Sequence, residues 1–201
     1  MSKKQGARIS KKEERRLKLE RERRMKMLRL WGPITVVVIA LIGLLLFRLL
    51  EPDVVGITKV EPPAPGSQHD NAFRYEITAL PPTGGIHATS WLNCGIYDSE
   101  VPTENAVHSM EHGAVWVTYD PEQVTADDIA TLKNAVRGKG DTILSQYPNQ
   151  ASSIVLTTWD LQLQLDSAAD DRVDEFINKY RGTRGPEAGA SCSGGVGTPS
   201  G

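Results

Sequence analysis

Four histidines stand in this chain, and two of them, His108 and His112, share one short stretch with Glu111. Residues 102–113, PTENAVHSMEHG, suit a helix. Thr103 can act as N-cap, Glu104 favours the positive end of the helix dipole, and Gly113 can take the left-handed conformation that stops a helix. Side chains four apart share a helix face, with Cβ atoms about 5–6 Å from each other, so both imidazoles can reach one metal ion. His87 follows a Pro-Pro-Thr-Gly-Gly turn that can hold its backbone rigid and aim its side chain inward. Three neutral imidazoles with one open position form a recurrent Zn(II) site and also suit copper. That reading needs His87 to fold back onto the helix. The competing one makes all three hydrogen-bonded structural histidines beside a turn. His69, in GSQHDN, reads as a solvated loop residue.

Glu111 admits two roles. His-Ser-Met-Glu-His matches the H-x-x-E-H pattern of inverted zinc metallopeptidases, in which the glutamate activates a zinc-bound water. That chemistry wants both histidines well inside a long helix, whereas Gly113 and a strand-like AVWVTY follow His112 at once. Glu111 therefore reads first as an acceptor that orients an imidazole, beside the metal and not bound to it, or as a carboxylate in a local ion pair. Met110 could serve copper(I) as a soft ligand, but its place between the histidine faces favours a core role. Cys94 and Cys192 are the only cysteines. A disulfide tying the chain's end to its body is the preferred reading, with a thiolate ligand or a reactive thiol as alternatives.

The elements that must position these groups can be taken in order. Residues 1–29 form a charged helical arm, with Glu14, Glu20 and Glu22 each four before a Lys or Arg. Residues 30–50 are an apolar run long enough to span a hydrocarbon core of about 30 Å, with Trp31 at an interfacial position and Pro33 near the start. The basic region is too long, the apolar run too extended and LFRLLEPD too bulky for a cleaved signal peptide. The basic flank should stay in the cytoplasm, which puts the remainder outside. Residues 51–72 form a proline-rich linker with VVGITKV as a short strand, and residues 183–201 a flexible Gly/Ser tail.

Between them, residues 73–182 read as one extracytoplasmic domain. Strands are expected at FRYEITAL, AVWVTY, DTILSQY, SSIVLTTW and LQLQLD, with aromatic-rich WLNCGIY ahead of the histidine helix. Further helices are expected in TADDIATLKNAVRG, capped by Thr125, and in DDRVDEFINKY. Without regular βαβ alternation, the class is α+β: a single transmembrane helix, then a mainly antiparallel sheet packed by short helices.

Charge agrees with this division. Residues 1–31 carry 13 Lys and Arg against 4 Glu, a net of +9; residues 51–201 carry 9 against 21 Asp and Glu, a net of −12. A basic arm beside a membrane attracts anionic lipid, by about 1 kcal/mol per basic residue near the surface. The acidic body would repel a phosphate backbone, so nucleic acid is excluded as a partner.

The sequence resembles the domain of unknown function 3105 family, found in bacterial proteins that are often membrane-anchored. The resemblance lies in PPTGGIH (81–87), the spacing of Trp91 and Tyr97, VHSMEHGAVWVTYDP (107–121) and IVLTTWD (154–160), and covers about residues 75–182. The family pattern runs P-P-T-S-G-P-H and then H-S-L-E-H-G. Gly84, Ile86 and Met110 depart from it, while His87, His108, Glu111 and His112 keep it. The resemblance implies a domain type and a location, and no activity. Three functions follow as expectations: a copper or zinc site at His87, His108 and His112; an envelope interaction module with structural histidines and other envelope proteins as partners; or a metal-dependent hydrolase with Glu111 as base.

Overall fold

The structure is a computed structural model that describes residues 10–49, 53–62, 66–76 and 78–200. The start of the basic arm (1–9), the end of the apolar run at Leu50, residues 51–52 and 63–65 of the linker, Ile77 and Gly201 lie outside the described residues. The chain divides into two compact units, Met1–Pro52 and Asp53–Gly201.

The first unit contains one helix, α1 (Lys11–Leu49). The arm and the apolar run are continuous in it, so Pro33 falls inside the helix and not at its start. The Thr35 hydroxyl donates to the Trp31 carbonyl four residues back, 2.9 Å away. The Lys11–Phe47 part is long and apolar enough to cross a membrane. Leu30, Ile39, Leu44 and Phe47 stand exposed on it.

The second unit is an α+β fold around a six-stranded sheet. In chain order its elements are β1 (Thr58–Lys59), β2 (Gly95–Glu100), α2 (Thr103–Glu111), β3 (Val115–Tyr119), α3 (Ala126–Val136), β4 (Thr142–Gln146), β5 (Ile154–Thr158), β6 (Leu161–Leu165) and α4 (Arg172–Tyr180). The sheet order is β1-β6-β5-β3-β4-β2. The β1–β6, β6–β5 and β5–β3 pairings are antiparallel, and β4 runs parallel to both β3 and β2. The sheet is thus mainly antiparallel, with α3 making the crossover that a parallel β3–β4 pair requires.

Period-two alternation explains the layering. Val115, Val117 and Tyr119 of β3 and Leu144 of β4 pack with Leu132 and Val136 of α3 and Val173, Phe176 and Ile177 of α4. Trp116 of β3 and Ile143 of β4 point the other way, into a second cluster with Ala106, Val107 and Met110 of α2. The central strand β3 is buried on both faces, which is why AVWVTY reads as an almost unbroken apolar run. The Trp116 indole N–H donates to Ser145 Oγ at 2.9 Å, so the polar edge of this core residue is satisfied. Helix α3 begins with a capping box: Asp128 N–H donates to the Thr125 hydroxyl at 3.2 Å, and Thr125 N–H to the Asp128 carboxylate at 3.0 Å.

Three local expectations are corrected and one is met. FRYEITAL forms no strand among its described residues, because Tyr75 N–H donates to the Glu104 carboxylate at 2.9 Å and the segment packs on the start of α2. Thr103 is the first residue of α2, and the N-cap is Pro102, which has no capping side chain. The short strand expected in the linker is present as β1, within VVGITKV and paired with β6, and residues 68–70 pair with His87. The segment expected as a flexible tail lies along the body: Cys94 N–H donates to Cys192 O at 2.8 Å, Asn93 N–H to Val196 O at 2.8 Å and Ser200 N–H to Ile96 O at 2.7 Å. Cys94 and Cys192 stand at disulfide distance, with Cα atoms 5.4 Å apart.

Phe176 is fully buried between α4 and the sheet. Phe176→Ala is expected to lower stability by about 3–5 kcal/mol, against about 1 kcal/mol for Thr125→Ala. Urea unfolding of the detergent-solubilised chain, followed by near-ultraviolet circular dichroism, measures both.

Candidate metal centre

Helix α2 delivers three of the groups. His108 and Glu111 lie in its last turns and His112 is its C-cap, all three almost fully buried. Gly113, at φ +106°, ends the helix and turns the chain into β3. His87 reaches the same place from the opposite side. Its segment passes through Gly84 at φ +142°, where a Cβ would press on the Trp159 ring, so only glycine leaves both the conformation and the space. His87 N–H donates to Gln68 O at 3.0 Å, and Asp70 N–H to His87 O at 2.7 Å. This pairing carries in the fourth histidine, His69, a loop residue whose side chain is 41 % exposed and whose ring nevertheless faces the cluster. Its ring lies 4.7 Å from those of His87 and His108. His87 and His108 are 4.8 Å apart, and His108 and His112 4.7 Å, centroid to centroid.

The three buried imidazoles are held in one manner. Nδ1 of His87 lies 2.7 Å from Gly85 O, Nδ1 of His108 2.7 Å from Ala88 O, and Nδ1 of His112 2.7 Å from Ser191 O. A carbonyl oxygen only accepts, so each Nδ1 carries the proton and donates it. In the neutral ring each Nε2 then bears a lone pair. These nitrogens turn inward: His108 and His112 Nε2 are 3.1 Å apart, His87 Nε2 is 3.0 Å from Glu111 Oε2, and His69 Nε2 is 3.5 Å from the same oxygen. Burial holds the His108 imidazole well below the ordinary histidine range, at about 4, and the adjacent His87, His112 and His69 push in the same direction against the opposing Ala88 bond.

Two neutral Nε2 lone pairs 3.1 Å apart repel unless something positive lies between or beside them. A buried carboxylate has the same requirement, and among the described residues Glu111 has only His87 and His69 as ion-pair partners. A divalent ion meets both needs. Nitrogen donors about 2.0–2.1 Å from a tetrahedral zinc lie about 3.3 Å from one another. The separations from Glu111 Oε2 to His87 Nε2, 3.0 Å, and to His69 Nε2, 3.5 Å, fall on either side of that edge length. Donor atoms of His69, His87, His108 and Glu111 all lie within 4.8 Å of one another, so these four can hold a metal ion. Their chemistry, imidazole with carboxylate, is that of zinc, copper and related transition metals.

The structure thus brings together His87, His108 and Glu111, adds His69, and leaves His112 at the side of His108 facing Glu187, whose Oε2 is 3.6 Å from His112 Nε2. Glu111 stands among the donors themselves. Met110 is fully buried in the apolar cluster with Leu92, Trp116 and Ile143, on the other side of the helix. At 100° per residue it lies roughly 200° from His108. The H-x-x-E-H resemblance is not carried by the helix, which is nine residues long and ends at Glu111. His69 had no signal in the sequence, because its role depends on residues 68–70 pairing with His87.

One pH effect follows for the metal-free protein. His108 has a lower pKa folded (about 4) than unfolded (about 6.5), so folding favours the neutral ring. Its contribution is fully present above about pH 6.5, is lost as pH falls toward about 4, and stays lost below that. Thermal unfolding of chelator-treated protein at a series of pH values should show this decline. A His108→Gln variant should lose the part of the decline that belongs to this ring.

Residues 67–194, well over half of the chain, match the family described as Protein of unknown function (DUF3105). The matched span contains all four histidines, Glu111, Glu187 and both cysteines. No curated protein and no solved structure matches the chain. The chain belongs to the DUF3105 family.

Proposed function

We propose that this is a membrane-anchored protein whose outer domain binds one copper or zinc ion at His69, His87, His108 and Glu111. The observation that carries the reading is the set of backbone locks on His87, His108 and His112, which turn their Nε2 atoms inward, His87 to Glu111 Oε2 at 3.0 Å and His108 to His112 at 3.1 Å. A hydrogen-bonded structural cluster would instead need a proton between His108 and His112 Nε2, and the carbonyl bonds at Nδ1 have already used the one proton of each neutral ring. Three imidazoles and a carboxylate suit either metal.

Support for the anchor comes from α1, whose apolar side chains stand exposed over a membrane-spanning length. Its basic first part stays in the cytoplasm beside anionic lipid, and residues 53–201 lie outside. The Cys94–Cys192 pair suits an oxidising compartment. The role is metal handling or assembly of an envelope complex, with other envelope proteins as partners.

The direct test is elemental analysis of the detergent-solubilised chain after exposure to copper or zinc and removal of unbound ion. About one ion per chain is expected, none in a His87→Ala/His108→Ala variant, and affinity lower by about 10–100-fold in Glu111→Gln. Equal metal content in native and doubly substituted protein would overturn the reading. Protease added to intact cells should digest the domain and spare the arm; the reverse pattern would overturn the orientation.

A further inference from the structure

His112 and Glu187 remain unused by the four-donor group. The geometry points to a second, outer cation position formed by His112, Glu187 and His108, through which a divalent transition-metal ion passes on its way to the buried position. This inference rests on the metal-binding reading above and adds a route to it.

The donors are built, not incidental. His112 gives its Nδ1 proton to Ser191 O, which leaves the Nε2 lone pair facing His108 Nε2 at 3.1 Å and Glu187 Oε2 at 3.6 Å. Both separations lie close to the edge of about 3.3 Å expected for two donors on one zinc. Glu187 is held in place by its own backbone: its N–H donates to Glu111 O at 3.0 Å, and Gly189 N–H donates to His112 O at 3.0 Å. This turn can lie so close to the helix end only because Gly185, at φ +110°, has no side chain; a Cβ there would run into the Met110 and Glu111 carbonyls. The disulfide partner Cys192 follows directly after Ser191, and the Trp91 ring closes the flank 5.0 Å from that of His112.

Exposure falls from Glu187 through His112 to His87, whose side chains are 56 %, 7 % and 0 % exposed, while that of His69, a member of the inner group, is 41 % exposed. A carboxylate at the mouth gathers cations, and His112 takes the ion from it. His108 is common to both groups, and its single Nε2 lone pair can face one ion at a time. Filling the inner position therefore withdraws a ligand from the outer one. The outer position transfers an ion and does not store it.

A residue used only in transit changes the rates of entry and exit together and leaves the equilibrium alone. A ligand of the final site changes the equilibrium. Zinc association and release are to be measured by stopped flow on the full chain in detergent, at low salt and at about 0.5 M salt, where long-range fields are screened. Glu187→Gln should slow both rates by about tenfold while the dissociation constant stays within about twofold, at either salt concentration; an effect of this size is that of one group acting on a metal site. His112→Ala should show the same signature. Unchanged rates, a loss of affinity carried by release alone, or an effect that vanishes in high salt would overturn the route and leave the four-donor reading standing. Absence of zinc binding in the native chain would overturn both.

Discussion

Three backbone carbonyls, of Gly85, Ala88 and Ser191, accept the Nδ1 protons of His87, His108 and His112, and the arrangement of the histidine cluster depends on those bonds. Each fixes a ring's tautomer and its direction at once, as the partners of metal-bound histidines commonly do. With the protons turned outward, His87 Nε2 meets the buried Glu111 carboxylate at 3.0 Å, and those of His108 and His112 face each other at 3.1 Å. Burying a carboxylate and several lone pairs without a compensating charge is unfavourable by several kcal/mol per ion. A bound divalent cation reverses that sign, because the same desolvation strengthens its attraction to the donors.

The rest of the domain serves to bring those carbonyls to the helix end. The sheet holds α2 through Ala106, Val107 and Met110, so the imidazoles on its other face have a rigid base. The PPTGGIH turn reaches over from one side, and Gly84 allows it to close on Trp159. The glycine-rich end of the chain reaches over from the other, pinned at Cys192 and seated on the helix end at Gly185. Loops that carry ligands are usually mobile. Here each is tied to the scaffold by a backbone pairing or a covalent link.

Elements with their own periodicity were legible in the sequence: β3 to β6 from alternating or continuous apolar runs, α3 from its Thr125 cap, and α1 from its length and composition. His108, Glu111 and His112 were legible because helical spacing places them together. His69 and Glu187 were not. Neither lies in a periodic segment, and both are brought to the site by pairings between stretches far apart in sequence, His69 with His87 and Glu187 with Glu111. FRYEITAL misled for a related reason. Its alternation suits a strand, but the side chain of Glu104, 29 residues away, takes the Tyr75 N–H that a ladder would have used. Composition also misdescribed the chain's end, where glycines permit close backbone approach and not disorder.

The central claim is that histidine nitrogens and a carboxylate surround one transition-metal ion. X-ray absorption at the metal edge of the zinc-loaded chain tests it most directly. A first shell of nitrogen and oxygen at about 2.0–2.1 Å is expected, with the outer-shell scattering of about three imidazoles and no sulfur. A shell containing sulfur, or one of oxygen without imidazole scattering, would contradict it.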